Sequence, residues 1–220
     1  MTDFAAIFDM DGVLIDSYHA HYESWLEMAR EEGLSLTEAT FRETFGRTSR
    51  EVIATVWGAA RQFSEAEIAA LDWRKEEAFR RIIQRRMPVM PGAVELLRDL
   101  SKAGFRLAVG SSAPPENVDA ILDGMHLRDR FAAAVTGADV TRGKPDPEVF
   151  LTAARRLGVS PGRCVVIEDA PVGIAAATAA GMACVGLAST GRTRELLARA
   201  SLVVDSLSEL SPEVLRKLIG

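Results

Sequence analysis

The sequence predicts an α/β fold in which a doubly wound parallel sheet is interrupted by an all-helical insert. Short apolar runs recur along the chain without strict alternation, as in strands that are covered on both faces. From residue 88 onward helical patterns separate most of these runs, which is the order of a doubly wound sheet. Residues 16–87 show helical patterns only. We therefore expect an α/β core of residues 1–15 and 88–220 and a helical domain of residues 16–87.

The six predicted strands are short and apolar. They cover residues 5–8, 106–109, 132–135, 164–167, 183–187 and 202–204. One core helix should begin at Pro91 and end before Gly104, because proline suits the first helical turn and glycine the position after the last. Its expected apolar face comprises Val94, Leu97 and Leu100.

A second core helix has both of its ends marked in the sequence. Asp146 is placed to cap the first free amides, and Pro147 fits the first turn. Gly158 follows the last apolar residue of the pattern and should end the helix. The two helices lie between predicted strands, as a doubly wound sheet requires.

The insert is predicted to consist of several amphipathic helices. Thr37 is placed to cap one of them, and Ser64 with Glu67 forms the capping-box pattern of another. A further helix has a shared apolar face, which comprises Tyr18, Tyr22, Trp25 and Ala29. An insert of this kind directly after the first strand leaves the rest of the sheet to be built by the chain beyond residue 88.

Composition places the chain among globular proteins and excludes several classes of function. Of its 220 residues, 48% are apolar and 26% are charged. The net charge of −5 is unlike the positive charge typical of proteins that bind nucleic acids. The uncharged stretch 170–191 is broken by proline and glycines, so it reads as a helix and a strand and not as a membrane span. Cys164 and Cys184 lie in apolar runs, where buried thiols are expected. With acidic residues near its start in place of a signal peptide, the protein is expected to be cytoplasmic.

Polar side chains follow four of the predicted strands, at the edge where ligands bind in a parallel sheet. They are Asp9 and Asp11, Ser111 and Ser112, Lys144, and Glu168 with Asp169. Converging carboxylates repel one another, and Mg²⁺, which prefers oxygen ligands, would relieve that repulsion. A carboxylate nucleophile, a second carboxyl for proton transfer, and a lysine with a hydroxyl for a phosphoryl group together suit phosphoryl transfer.

Most of these residues also have an ordinary structural explanation. Ser111 and Ser112 could cap a loop, Glu168 and Asp169 could cap a helix, and Lys144 could be solvated. Asp9 is harder to explain in this way, because it follows a buried strand and an unpaired buried carboxylate is costly.

The four strand-end motifs resemble those of the haloacid dehalogenase-like (HAD) superfamily. The matching segments are Asp9-x-Asp11-Gly12-Val13, Ser111, Lys144-Pro145 and Glu168-Asp169, and the resemblance extends to a helical cap after the first strand. It implies a Rossmann-like core with Asp9 as nucleophile and Asp11 as general acid and base. It further implies phosphate binding by Ser111, Ser112 and Lys144. Mg²⁺ would be held by Asp9, the Asp11 carbonyl and Asp169, with Glu168 as a direct or indirect ligand.

The segments FDMDGVLIDS, GKPDPEVF and IEDAPVGIAAATAAGM resemble the branch that contains β-phosphoglucomutases and small sugar-phosphate phosphatases. The dehalogenases of the superfamily resemble DxYG at the first motif and use no metal, so Asp11 favours phosphate chemistry. A scaffold protein that only retained the fold would be expected to have lost Asp9, Asp11, Lys144 or Asp169, and all four are present.

The helical domain is expected to choose the substrate. Its candidate contacts are His21, Arg47, Arg50 and Lys75, each of which could instead be a solvated surface group. The mutases resemble S-x-S-K-N after the second motif, whereas this chain has Ser111-Ser112-Ala113-Pro114-Pro115. Losing that lysine favours a Mg²⁺-dependent phosphatase of a small phosphorylated metabolite, with a phosphosugar mutase as the alternative. A monomer or a weak homodimer is expected.

Overall fold

The computed structural model describes residues 4–58 and 61–220. The chain forms two compact units, one made by the residues up to Asp16 together with Pro88–Gly220, and the other by Ser17–Met87. The first unit contains the sheet and the second is helical. Within the described ranges, no helix combines the length and the apolar character that a membrane span requires.

The helical unit contains α1 (Tyr18–Glu31), α2 (Glu38–Thr44), α3 (Ser49–Val56) and α4 (Glu65–Arg85). Thr37 caps α2 by accepting a hydrogen bond from the Thr40 amide, as the sequence predicts. Ser64 and Glu67 form the predicted capping box of α4. The sequence analysis did not separate α3, which begins with a second capping box between Thr48 and Glu51.

An aromatic core holds these helices together. Tyr18 packs edge-on against Phe41, with the ring centroids 5.0 Å apart, and the Trp25 and Trp57 rings lie 5.7 Å apart. Burial of such rings removes apolar surface from water and so stabilises this unit. The predicted face of α1 is therefore the one that packs inward, with Tyr22 only half-buried at its edge.

The core unit contains a six-stranded parallel sheet, which confirms the predicted fold class. Its strands are β1 (Ala5–Phe8), β2 (Arg106–Gly110), β3 (Ala133–Val135), β4 (Cys164–Glu168), β5 (Ala183–Leu187) and β6 (Leu202–Val204). Their order across the sheet is β3-β2-β1-β4-β5-β6. The first strand thus lies at the centre, where the order reverses, and this is the position at which doubly wound sheets bind ligands.

Helices cover the sheet of the core unit. They are α5 (Ala93–Lys102), α6 (Pro115–Gly124), α7 (Glu148–Leu157), α8 (Pro171–Ala179) and α9 (Pro212–Ile219). The end of α7 follows the prediction, because Gly158 ends the helix with φ of +67°. Its start differs by one position: Pro147, predicted in the first turn, is the N-cap, while Asp146 accepts a hydrogen bond from the Glu148 amide as predicted. Both cysteines are buried and free.

The start and the inner face of α5 differ from the prediction. Pro91 lies before the helix, and Gly92, with φ of +83°, occupies the N-cap. The helix begins at Ala93, and its buried positions are Ala93, Leu96, Leu97 and Leu100. Val94, expected on the apolar face, is 42% exposed.

The two chain segments next to the helical unit pair with each other inside the core unit. Ile15 and Val89 form an antiparallel bridge. The Asp16 amide donates to the Pro88 carbonyl (2.8 Å), and the Met90 amide donates to the Leu14 carbonyl (2.9 Å). The chain therefore leaves the core and returns to it at one place.

Candidate active site

The register of the sheet places Asp9 at the centre of the candidate site. Phe8 pairs with Val109 of β2 on one side and with Ile167 of β4 on the other. The Asp9 amide donates to the Ile167 carbonyl (2.9 Å), so the strand pairing continues to the site itself. Glu168 then stands beside Asp9 at the carboxyl edge of the sheet.

Three carboxylates meet at this edge. Asp9, Glu168 and Asp169 each offer one oxygen, and these oxygens all lie within 4.8 Å of one another. All three residues are buried. The Nζ atom of Lys144 donates to Oδ1 of Asp9 and to Oε1 of Glu168, each over 2.6 Å. One ammonium group therefore joins two of the carboxylates and leaves the cluster with an excess of negative charge.

Two glycines make room for the acidic side chains. A Cβ atom on Gly12 would lie 2.2 Å from Oδ2 of Asp169, and Gly12 has φ of +75°. A Cβ atom on Gly173, in the first turns of α8, would lie 1.8 Å from Oε1 of Glu168. The carboxylates consequently pack directly against backbone, and the Ala170 amide donates to Oε2 of Glu168 (2.7 Å).

Burial and mutual repulsion dominate the electrostatics of the cluster. Burial raises the pKa of Asp9 well above its usual range, against the influence of Lys144 and with that of Glu168. Burial and the Glu168 carboxylate likewise raise the pKa of Asp169. Burial alone would lower the pKa of Lys144, but Asp9 and Glu168 raise it above its ordinary value. Lys144 is thus a permanent cation. The nearby positive charge is nevertheless too small to stabilise the ionised forms of Asp9 and Asp169.

The donor set fits a magnesium ion. Carboxylate oxygens are the ligands that Mg²⁺ prefers, and three of them come from two adjacent strand ends without a histidine or cysteine among them. The raised pKa values of Asp9 and Asp169 have the same physical origin, which is uncompensated negative charge in a buried place. A divalent cation would supply the compensation.

The remaining residues of the predicted core site differ in their surroundings. Ser111 is buried one position beyond the end of β2, and its hydroxyl oxygen accepts a hydrogen bond from the Ala113 amide (3.0 Å). Ser112 is exposed. Asp11 is half-buried, forms a backbone bridge with Ile15, and contributes to the raised pKa of Asp169. Asp11 thus lies at the β1 end, which carries Asp9, and Ser111 lies at the end of the neighbouring strand β2.

The loop after β5 also reaches the cluster, which the sequence analysis did not foresee. Arg192 Nε lies 3.5 Å from Oδ2 of Asp169, and the Ser189 hydroxyl donates to the same oxygen (3.4 Å). Thr190 donates to Oδ2 of Asp16 (2.8 Å). The sequence does contain a signal for this contact. Residues 183–187 are predicted to form a strand, and Ser189 and Arg192 follow its carboxyl end, as the other candidate residues follow theirs.

Two of the four candidates in the helical unit lie together. Nζ of Lys75 is 2.9 Å from Nδ1 of His21 and donates to Oε1 of Glu76 over 2.8 Å. The His21 ring stacks on Phe79 at 4.0 Å. Lys75 is only 3% exposed, so it is not the solvated charge that the sequence left open.

The other two candidates have surface positions. Arg47 is exposed. Arg50 is also exposed and forms an ion pair with Glu65 at the start of α4. The structure therefore does not bring these arginines into the buried cluster around Lys75.

Comparisons with known proteins agree on the class of fold and site. A family model for haloacid dehalogenase-like hydrolases matches residues 5–181. Validoxylamine A 7'-phosphate phosphatase of Streptomyces hygroscopicus subsp. limoneus is 35% identical over 211 residues, covering 93% of this chain and 94% of that protein. Beta-phosphoglucomutase of Bacillus subtilis (strain 168) is 34% identical over 218 residues, covering 97% and 94%. The crystal structure of beta-phosphoglucomutase from Clostridium difficile superposes with a TM-score of 0.87 at 28% identity, covering 99% and 97%.

Proposed function

The chain belongs to the haloacid dehalogenase-like hydrolase family, in the branch of β-phosphoglucomutases and sugar phosphatases, and we propose that it hydrolyses a small phosphomonoester with Mg²⁺. The observation that supports this most directly is the contact of Lys144 with Asp9 and Glu168 beside Asp169. A phosphoryl group needs a cation, a nucleophile and a metal-binding carboxylate set, and this edge of the sheet carries all three.

Asp9 acts as the nucleophile in this proposal. A bond forms from an Asp9 carboxylate oxygen to phosphorus while the ester P–O bond breaks, and Asp11 gives a proton to the departing alcohol oxygen. Asp11 then takes a proton from water as the water oxygen attacks the aspartyl phosphate. The bond from phosphorus to Asp9 breaks, and inorganic phosphate leaves.

The other groups hold the phosphoryl group and its counter-ion. Lys144 and the Ser111 hydroxyl bind the phosphoryl oxygens, whose spread negative charge they stabilise. Mg²⁺ would be held by Asp9, Asp169 and the Asp11 carbonyl, with Glu168 bound directly or through water. When bound, the ion offsets the negative charge of the carboxylates and of the phosphoryl group.

We propose a phosphorylated carbohydrate or a similar metabolite as the substrate class. The similar phosphatase and mutase described above act on phosphorylated compounds of this kind according to their names. In the helical unit, His21 and Lys75 are the candidates for substrate selection that share one buried cluster.

A phosphosugar mutase is the second candidate. The similarity to β-phosphoglucomutases over the whole chain favours it. The segment after Ser111 disfavours it, because Pro114 and Pro115 form the start of α6 where the mutases resemble a lysine and an asparagine. Incubation with β-glucose 1-phosphate and a bisphosphate distinguishes the two: a mutase yields glucose 6-phosphate, and a phosphatase yields stoichiometric inorganic phosphate.

Asp9→Asn and Asp11→Asn test the proposed chemistry. With p-nitrophenyl phosphate and Mg²⁺, Asp9→Asn should abolish phosphate release because it removes the nucleophile. Asp11→Asn should lower kcat by about 10²–10⁴-fold, the usual contribution of general acid–base catalysis. Asp129→Asn, on a surface turn of the same unit, is the matched control and should retain full activity.

Phosphate release is measured over a panel of sugar phosphates, glycerol phosphates, phosphoglycolate and nucleotides. Asp9→Asn protein with wild-type turnover, or wild-type activity that persists in excess chelator, would contradict the proposal.

A further inference from the structure

We infer that Arg192 is a positioning residue that orients the Asp169 carboxylate for metal binding. The inference rests on the proposed function, because it assigns a role toward the proposed metal site. The Nε atom of Arg192 lies 3.5 Å from Oδ2 of Asp169, and both side chains are largely buried, at 11% and 5% exposure. A guanidinium group in such a place requires an acidic partner, and Asp169 is one.

Backbone hydrogen bonds hold the loop that carries Arg192. The Arg192 amide donates to the Ser189 carbonyl (2.9 Å), which closes a tight turn with Gly191 at φ of +80°. The Ala188 amide donates to the Val204 carbonyl (2.8 Å) and so extends the pairing of β5 with β6. A loop fixed in this way holds the arginine in a defined position.

Arg192 and Ser189 of this loop contact the same oxygen of Asp169. Oδ2 is the atom nearest to Arg192 Nε and accepts the Ser189 hydroxyl at 3.4 Å. The same oxygen lies against the Cα of Gly12, where a Cβ atom would be 2.2 Å away. With Oδ2 held on one side by backbone and on the other by Arg192, rotation of the carboxylate is restricted. Oδ1 is then the oxygen that Asp169 presents to the ion.

A positioning role and a purely electrostatic role predict opposite effects on metal affinity. If Arg192 only repelled the divalent ion, its removal would tighten metal binding. If Arg192 orients Asp169, its removal weakens metal binding, because a ligand that is not held in place must be ordered when the ion binds. The sign of the change therefore decides between them.

The test uses Mn²⁺ as the probe, with the free ion followed by electron paramagnetic resonance on the full chain without substrate. Arg192→Met keeps an unbranched side chain, shorter than that of arginine, and removes its charge, and we expect Mn²⁺ binding about tenfold weaker. Arg192→Lys keeps a cation within reach of Asp169 and should bind Mn²⁺ within about threefold of wild type. Arg199→Met, an exposed position in the same region with the same change of net charge, should match wild type.

Ser189→Ala removes the other loop contact to Oδ2, and we expect it to weaken Mn²⁺ binding less than Arg192→Met does. It also provides a test if Arg192→Met does not fold, which metal-free thermal melting would show. Unchanged or tighter Mn²⁺ binding by Arg192→Met, or by Ser189→Ala where Arg192→Met does not fold, would overturn the inference. So would an Arg192→Lys variant as weak as Arg192→Met. Wild-type protein that binds no Mn²⁺ would instead overturn the proposed metal site itself.

Discussion

Lys144 lies between two carboxylates at 2.6 Å each, and this contact determines what Asp9 can do. In the absence of a metal ion, burial raises the pKa of Asp9, which disfavours the ionised form that a nucleophile needs. Lys144 lowers the pKa of Asp9, but burial and the neighbouring carboxylates raise it more. We therefore expect the nucleophile to depend on a second cation, which the excess of carboxylates at this edge is suited to bind.

Gly173 is a position where a single methyl group should disturb the site. In Gly173→Ala the new Cβ would overlap the Glu168 carboxylate, so that side chain must leave its contacts with Lys144 and the Ala170 amide. We expect a loss of stability of about 1–3 kcal/mol, typical of overpacking, together with lower activity.

Gly162→Ala is the matched control, because a Cβ there meets no atom within 4 Å. Urea denaturation and phosphate release are measured for both variants. Equal behaviour of Gly173→Ala and Gly162→Ala would contradict the assigned packing of Glu168.

At the scale of single residues, the sequence analysis identified the strand-end groups but not their neighbours across the fold. Asp9 and Glu168 could be predicted from the sequence because each directly follows a predicted strand. The approach of Arg192 to Asp169 depends on a turn 23 residues further along the chain, and nothing local to either residue encodes it. Val94 was assigned to the wrong face because a spacing of three from Leu97 fits two helix positions, and the structure buries Ala93 and Leu96 together with Leu97 and Leu100.

Among the elements, α1, α3 and α4 of the helical unit share a buried polar cluster. Lys75 on α4 contacts His21 on α1 and pairs with Glu76, which also accepts a hydrogen bond from Ser49 at the start of α3 (2.6 Å). Burial alone would raise the pKa of Glu76, but Lys75 and His21 lower it to about 2. The Glu76 carboxylate is therefore charged at neutral pH, and its partners offset the cost of burying that charge.

Lys75→Met tests whether this cluster holds the helices together. It leaves the Glu76 charge without its lysine, and breaking a buried pair in this way costs about 3–5 kcal/mol. Tryptophan fluorescence during urea denaturation reports on the helical unit, since Nζ of Lys75 lies 5.3 Å from the centre of a Trp25 ring.

Lys102→Met, on the surface of α5, makes the same change of charge and should leave stability within about 0.5 kcal/mol of wild type. A Lys75→Met variant with wild-type stability and a raised KM would show that Lys75 serves substrate binding and not the packing of the unit.

The capping boxes show which elements local sequence determines. Ser64 and Glu67 mark the start of α4, and the structure has both hydrogen bonds of that box. The box of Thr48 and Glu51 has the same chemistry, but the sequence analysis did not use it and therefore did not separate α3. A capping box marks where a helix begins, and the apolar pattern that follows it indicates how far the helix extends.

For the molecule as a whole, the buried carboxylates should make stability depend on pH and on Mg²⁺ together. An unfolded aspartate has a pKa near 4, and burial raises that of Asp169 in the folded protein to about 7. The folded, metal-free protein therefore holds protons that the unfolded chain releases, so its stability falls as the pH rises from about 4 to 7.

Melting in excess chelator should show this fall, with about 2–4 °C in Tm for each kcal/mol lost. Mg²⁺ should raise Tm more at pH 8 than at pH 5, because protons compete with the ion at low pH. The Asp169→Asn variant is the control and should reduce both dependences, with the contribution of Asp9 remaining. A metal-free Tm that rises from pH 5 to pH 8, or a Mg²⁺ effect independent of pH, would contradict this account.

The paired segments around Ile15 and Val89 have a consequence for how such a chain can change. Since the backbones of Asp16 and Pro88 are hydrogen-bonded to each other, the residues between them form an insertion whose two ends are adjacent in the core unit. Because the ends are held together, a longer, shorter or different insertion would leave unchanged the strand order and the spacing of the acidic groups. If the helical unit selects the substrate, as proposed, selectivity and chemistry can evolve independently of each other.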